Sequence, residues 1–204
     1  GNDMSSGVSG NVGIGTGTPS EKLDVTGNVK ATGLVSNELS ATGSGAALEM
    51  KVDGARALRL EPNNNSPNII GGFNANSVTS SVEGATIGGG GRSGPSNFNR
   101  VTDDYGTIGG GEGNQTGDND TDTKNKLYAT VSGGQGNTAS HEWTTVGGGQ
   151  GNEAGGSSAT VGGGQANDAS GLGATIAGGG FNEASGLVAA VGGGQNNTVS
   201  GDHA

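Results

Sequence analysis

The chain has 204 residues, of which 47 are Gly, while 28% are apolar and 3% aromatic. An ordinary globular domain has roughly 45–50% apolar residues, so this composition excludes a compact domain with one large core. The net charge of −10, from 19 acidic and 9 basic residues, disfavours nucleic-acid backbones and anionic membrane surfaces as partners. Because the chain has no Cys, disulfides and thiolate metal sites are excluded as well.

Residues 1–66 are predicted to form an N-terminal connector of short strands that also supports trimerisation. Short segments of alternating polarity, bounded by Gly, Pro or Asn, are typical of such strands. They lie at 11–16, 22–25, 28–31, 47–52 and 57–60. No fixed period joins them, so we place a domain boundary after residue 66 and expect a second, repetitive domain over residues 67–204.

The second domain is built on a repeat of 15 residues. Val131, Val146, Val161, Ile176 and Val191 follow one another at this step, and each is followed by a Gly-rich triplet and by an Asn six positions on. Low hydrophobicity with high charge is also typical of disorder, but a disordered chain has no physical reason to keep a strict period. The period indicates a solenoid, in which each coil buries its apolar face against its neighbours. We therefore predict an all-β, parallel β-roll or β-solenoid.

The first coils are longer than the period. Ile87, Ile108 and Val131 stand 21 and 23 residues apart. A solenoid accommodates such insertions because they project from one face. The excess predicts two inserted loops, at residues 92–103 and 117–126.

The two sides of a coil are distinguished by residue type. Ala159 and Val161 lie two positions apart and therefore share the inner side of a strand, with Thr160 outside and the second Ala, Ala169, facing the same interior. An interior of Ala and Val buries little, so we expect three chains to share a centre lined by Val and Ile, as a homotrimer. The Asn column is predicted to be structural, hydrogen-bonding along the stack as amide ladders do.

Two stretches resemble known families. Asn-Asp-Ala-Ser-Gly at 167–171 and Asn-Glu-Ala-Ser-Gly at 182–186 resemble the head repeats of trimeric autotransporter adhesins, which implies a left-handed parallel β-roll in a homotrimer. The segment 10–29, which begins Gly-Asn-Val-Gly-Ile-Gly-Thr, is similar to the segment that precedes the fibre in phage tail-fibre-like and bacterial surface proteins.

Three aromatic residues form the candidate binding site. Tyr105, Tyr128 and Trp143 each stand three positions before the Val or Ile of a strand, in three successive coils. Neighbouring strands lie about 4.8 Å apart, so these rings are expected to stack as an exposed ladder on the strand face opposite the Val/Ile column. Exposed aromatic groups concentrate binding energy, which makes the ladder a candidate platform for a sugar ring or a partner. The alternative is that the rings cap the inserted loops or pack within a trimer.

The second inserted loop contains a candidate calcium site. Asp118, Asp120 and Asp122 alternate along it, the pattern that opens an oxygen-ligand Ca²⁺ loop. The expected Gly at loop position six is Thr123, and the expected closing Glu at position twelve is Ala129. These departures favour a solvated acidic loop over a calcium site, and no other cofactor is expected.

These features predict an extracellular fibrous adhesin or fibre segment on a cell surface, virion or tail appendage. Its expected partners are its own copies and a host surface or glycan receptor, with neither nucleic acid nor membrane. The alternative is a purely structural self-assembling filament subunit or spacer, including a phage or injection-system tail-fibre shaft. An enzyme is not expected, because the only His residues are His141 and His203, and no nucleophile or metal motif accompanies them.

Overall fold

The computed structural model describes residues 4–6, 12–18, 20, 23–25 and 45–204. In those ranges the regular elements are all β-strands, which form three sheets. The chain divides into two compact units, residues 1–40 and 41–204.

The first unit contains a three-stranded sheet. Its strands are β1 (Met4–Ser6), β2 (Val12–Ile14) and β3 (Leu23–Val25). The central strand β2 pairs antiparallel with β1 and parallel with β3. The strands predicted at 11–16 and 22–25 are thus confirmed, whereas the one predicted at 28–31 lies outside the described residues.

The second unit begins with an antiparallel meander of β4 (Leu48–Val52), β5 (Ala55–Glu61) and β6 (Asn68–Gly71). Between β4 and β5, Asp53 and Gly54 have φ of 51° and 77°, as a two-residue hairpin turn with two left-handed positions requires. The predicted strands at 47–52 and 57–60 are confirmed. Strand β6 then pairs parallel with β8, so strands on both sides of the predicted boundary after residue 66 belong to one sheet.

The remaining strands have two residues each. In chain order they are β7 (Ser77–Val78), β8 (Thr86–Ile87), β9 (Arg100–Val101), β10 (Thr107–Ile108), β11 (Gln115–Thr116), β12 (Thr130–Val131), β13 (Thr138–Ala139), β14 (Thr145–Val146), β15 (Glu153–Ala154), β16 (Thr160–Val161), β17 (Asp168–Ala169), β18 (Thr175–Ile176), β19 (Glu183–Ala184), β20 (Ala190–Val191) and β21 (Thr198–Val199). Even-numbered strands extend the meander into a ten-stranded sheet, and odd-numbered strands form an eight-stranded sheet. Each strand pairs parallel and in register with the same strand of the next coil. The all-β solenoid with parallel coils of about 15 residues is therefore confirmed.

The core lies between the two parallel sheets of a single chain. Val131, Val146, Val161 and Ile176 of the longer sheet are 0% exposed, as is the Ala column of the shorter sheet. The Val/Ile column that we expected to line a centre shared by three chains is thus already buried, and that part of the prediction was wrong. The reason is that the Ala strands close over the Val strands within each coil.

The inner Asn column holds the coils together. The Asn167 backbone N–H donates to Oδ1 of Asn152 at 3.0 Å, and its side-chain Nδ2 donates to the carbonyls of Gly163 and Gly179 at 2.9 and 3.0 Å. Asn137, Asn152 and Asn182 repeat this arrangement, and all four are at most 1% exposed. The predicted structural role of the Asn column is confirmed, although the column is internal.

The inserted loops leave the coil at different points. Strand β9 lies inside the first predicted loop, 92–103, so the extra residues are confined to 92–98. Arg100 and Val101 keep the strand register because they pair with Gln115 and Thr116 of the next coil. The second loop, 117–126, lies between β11 and β12.

Candidate functional site

The three aromatic residues lie in a turn, and the prediction that they stand on a strand face was wrong. Tyr105, Tyr128 and Trp143 precede β10, β12 and β14 by two residues and have left-handed φ values of 60°, 63° and 55°. The alternation of a strand does not extend to this position because the backbone reverses there. Later coils have Ser158, Gly173, Val188 and His203 at the equivalent position, also with positive φ. We call this column of seven residues the turn ridge.

Hydrogen bonds between coils hold the turn ridge in place. The backbone N–H of Tyr105 donates to the carbonyl of Glu83 at 2.9 Å, and that of Trp143 donates to the carbonyl of Leu127 at 3.0 Å. A left-handed conformation costs a non-Gly residue roughly 1–2 kcal/mol. The repeated inter-coil bonds offset this cost and direct the side chains outward.

Two of the three rings form a stack. The rings of Tyr105 and Tyr128 have centroids 5.2 Å apart and planes 11° from parallel. Because the two residues occupy equivalent positions in successive coils, the stacking direction follows the coil axis, at about the spacing of neighbouring strands. The stacked pair therefore presents ring edges to the side of the solenoid, which suits a flat sugar ring less well than the expected platform of ring faces.

The first ring is seated on the preceding coil. A Cβ at Gly84 would collide with the Tyr105 ring, so Gly84 makes room for it. The Tyr105 hydroxyl donates to Oε1 of Glu83 at 3.3 Å, and the Asn65 amide donates to the same carboxylate at 3.1 and 2.9 Å. The negative charge of Glu83 raises the pKa of Tyr105 above its usual value. Tyr105 is thus fixed on both faces and at its hydroxyl.

The rest of the turn ridge exposes apolar surface. Trp143 is 57% exposed and Tyr128 is 48% exposed. Further along, Val188 of the turn ridge and its neighbour Leu172 are 51% and 55% exposed. Sequence reasoning placed Val188 in the same column as the aromatic residues but did not select it, because it followed aromatic residue type, and it did not identify Leu172.

The three predicted calcium ligands do not converge. The backbone N–H of Asp120 donates to Asp118 Oδ1 at 3.1 Å, that of Asp122 to Asp120 Oδ1 at 2.6 Å, and that of Lys124 to Asp122 Oδ1 at 3.1 Å. Each carboxylate thus closes a local turn. A hydrogen bond from Asn125 lowers the pKa of Asp120. Across the described parts of the chain, no three acidic or His side chains form a group able to hold a metal ion.

A buried carboxylate lies at the base of this loop. Asp103 is 2% exposed and its Oδ2 accepts a hydrogen bond from the Thr102 hydroxyl at 3.0 Å. Burial raises the pKa of Asp103, and the neighbouring charge of Asp118 adds to the effect. Sequence reasoning did not identify Asp103, because its burial depends on the packing of two coils.

The outer face of the shorter sheet carries an acidic column. Glu153, Asp168 and Glu183 occupy the same outward position in three successive coils and pair in register. Burial raises the pKa of Asp168, and the charge of Glu183 raises it further. The equivalent outward column of the longer sheet is uncharged, with Thr in β8, β10, β12, β14, β16 and β18. Charge is therefore segregated between the two faces.

These observations define the chain as a parallel β-solenoid, compatible with a β-roll repeat protein. No protein-family model and no curated protein matches it. Among the described residues, no helix is long and apolar enough to cross a bilayer.

Proposed function

We propose that this solenoid is a display segment of an extracellular fibre or adhesin, which attaches to cells, glycans or other surfaces through its turn ridge. The observation that supports the proposal most directly is the exposure of Trp143, at 57%, on a backbone fixed between coils. A rigid backbone lowers the entropy lost on binding, and Trp is the side chain most enriched at binding hot spots.

The proposed mechanism is repeated weak contact. Trp143 offers a large exposed side chain, and Leu172 and Val188 extend the apolar surface along the same side. A single contact of this size is weak, but linking copies raises the overall affinity when they engage together. We therefore propose a homotrimer carrying three turn ridges, with no catalytic role.

A structural spacer or filament subunit is the second candidate. The coils repeat the same parallel, in-register pairing from one to the next, and coils of this kind can also stack on those of another chain. In that case the function would be end-to-end assembly, and the turn ridge would contact no receptor.

The discriminating experiment is a glycan-array and cell-binding assay of the wild type, Trp143→Ala and Phe181→Ala. Phe181 is the matched control because it is an aromatic residue, 51% exposed and at positive φ, in a different turn of the coil. We expect Trp143→Ala to reduce binding at least tenfold and Phe181→Ala to change it little.

Equal loss in both variants, or none in either, would contradict a binding role for the turn ridge. If Val191→Lys abolished end-to-end association while wild-type protein bound no surface, the filament would replace the adhesin.

A further inference from the structure

The first inserted loop and the outer face of the shorter sheet enclose a cleft that sequence reasoning did not identify. Its volume is about 400 Å³, within the range of small-ligand sites. It is lined by Pro95, Ser96 and Phe98 of the loop and by Arg100, Gln115 and Thr138 of three successive strands.

Hydrogen bonds and close packing hold the loop that forms one wall of the cleft. The backbone N–H of Arg92 donates to the carbonyl of Asn97 at 3.1 Å, and the Asn97 side chain donates to the carbonyl of Ser93 at 3.1 Å. The loop lies directly on the next coil, where a Cβ at Gly113 would come within 2.6 Å of the Ser96 carbonyl oxygen. These contacts hold Ser96 and its neighbours over the strand that carries Arg100.

Arg100 is the charged group of the cleft. Its Nη2 donates to Oε1 of Gln115 at 2.6 Å, and the Gln115 amide donates in turn to the carbonyl of Gly117 at 2.8 Å. Within residues 45–204, Arg59 and Arg92 each form an ion pair with Glu, whereas Arg100 forms none. A half-buried, oriented guanidinium is thus left without a carboxylate partner in a chain of net charge −10.

The chemistry of the cleft selects a ligand with one carboxylate. A guanidinium has five N–H donors in a planar fork that matches a carboxylate. The exposed lining is mainly polar, with only a small apolar contribution from residues such as Phe98 and Pro95, and Ser96, Gln115 and Thr138 offer neutral hydrogen-bonding groups for the hydroxyls of a sugar. The negative charge of the whole chain disfavours polyanions.

We propose that this cleft binds a carboxylated sugar, such as a terminal uronic or sialic acid, with Arg100 contacting the carboxylate. The cleft shares no residue with the turn ridge, so this site stands independently of the attachment role assigned to Trp143.

The test is isothermal titration calorimetry, which measures the dissociation constants of the full chain for sodium glucuronate and N-acetylneuraminate. Glucose serves as the uncharged counterpart of glucuronate. The variants are Arg100→Gln, Arg100→Lys and Arg59→Gln. Arg59→Gln is the matched control, because it removes the same charge from a guanidinium that is paired with Glu49 and Glu61 and lies outside the cleft and the loop that covers it. Circular dichroism verifies that each variant is folded.

We expect at least one acidic sugar to bind at least tenfold more tightly than glucose. Arg100→Gln should weaken binding at least tenfold, Arg100→Lys by less, and Arg59→Gln by less than twofold. The proposal is overturned if neither acidic sugar binds, if glucose binds equally well, or if Arg59→Gln and Arg100→Gln weaken binding alike.

Discussion

At the scale of single residues, the glycines of one coil are not equivalent. Gly164 has a φ of 99°, and a Cβ there would collide with the carbonyl oxygen of Gly179 in the next coil. Gly151 has a φ of 64° but open space around the position of a Cβ, and Ala166 occupies the same place in the following coil. Backbone conformation alone constrains Gly151, whereas conformation and close approach both constrain Gly164.

We predict that Gly164→Ala lowers the free energy of unfolding by about 2–5 kcal/mol, from left-handed strain and overpacking together. Gly151→Ala should cost about 1 kcal/mol, from backbone strain alone. Chemical denaturation of both variants measures the difference. Equal losses of stability in the two variants would contradict this prediction, because they would mean that a small shift of the neighbouring coil relieves the collision at Gly164.

Asp168 makes stability depend on pH. Its pKa in the folded state is raised above the ordinary 3.8, first by burial and then by the charge of Glu183. Its stabilising contribution is therefore fully present below the ordinary pKa and is lost as pH rises through the raised folded pKa.

We predict that Asp168→Asn matches the wild type in acid, where the carboxyl is protonated, and is the more stable protein at neutral pH. Thermal unfolding over a pH series measures the difference in Tm between the variant and the wild type. A difference that stays constant with pH would contradict the assigned role of the Asp168 charge.

At the scale of elements, the Asn column makes the strands of two residues cooperative. Asn167 Oδ1 accepts from the backbone N–H of Asn182 and from its side chain, both at 3.0 Å, and Nδ2 of Asn167 donates to two Gly carbonyls. A strand of two residues has few ladder bonds of its own. The Asn bonds therefore add buried links between coils to the backbone hydrogen bonds that join them.

We predict that Asn167→Ala costs about 3–5 kcal/mol, because it leaves several buried polar groups unsatisfied at about 1–3 kcal/mol each. Asn197, the exposed equivalent in the last described coil, is the matched control, and Asn197→Ala should cost about 1 kcal/mol. Urea denaturation measures both. Similar costs at the two positions would indicate that the column contributes only locally.

At the scale of the whole molecule, the outer surfaces of a single chain determine which face can form a contact between subunits. The Val/Ile column is buried in the single chain, so a trimer must use an outer surface. The outer face of the longer sheet presents a Thr column without charges from β8 to β18, whereas the shorter sheet presents the acidic column. Copies of an acidic chain repel one another least through an uncharged face.

We predict a discrete species near three times the chain mass of 19.5 kDa by light scattering. Thr160→Lys, which places a charge in this face, should shift the species toward the monomer. A calcium chelator should leave the mass unchanged, because Asp118, Asp120 and Asp122 do not converge on one point. A wild-type monomer would contradict the trimer, and polydisperse growth would favour the filament.

The sequence by itself determined the solenoid, the inward Val and Ala columns and the structural role of Asn. These follow from a strict period, because equivalent residues of stacked coils must meet equivalent neighbours. Val161 and Asn167 could therefore be assigned without knowing how the coil closes.

Only the tertiary structure decided where the strands end and which contacts join one coil to the next. The left-handed turn at Tyr105, Tyr128 and Trp143 depends on hydrogen bonds from one coil to the next, which no local pattern encodes. The burial of the Val/Ile column within one chain depends on how the second sheet closes over the first. The cleft around Arg100 exists because the loop 92–98 folds onto the next coil. Its lining residues are far apart in the sequence, so the sequence alone does not show that they lie close together.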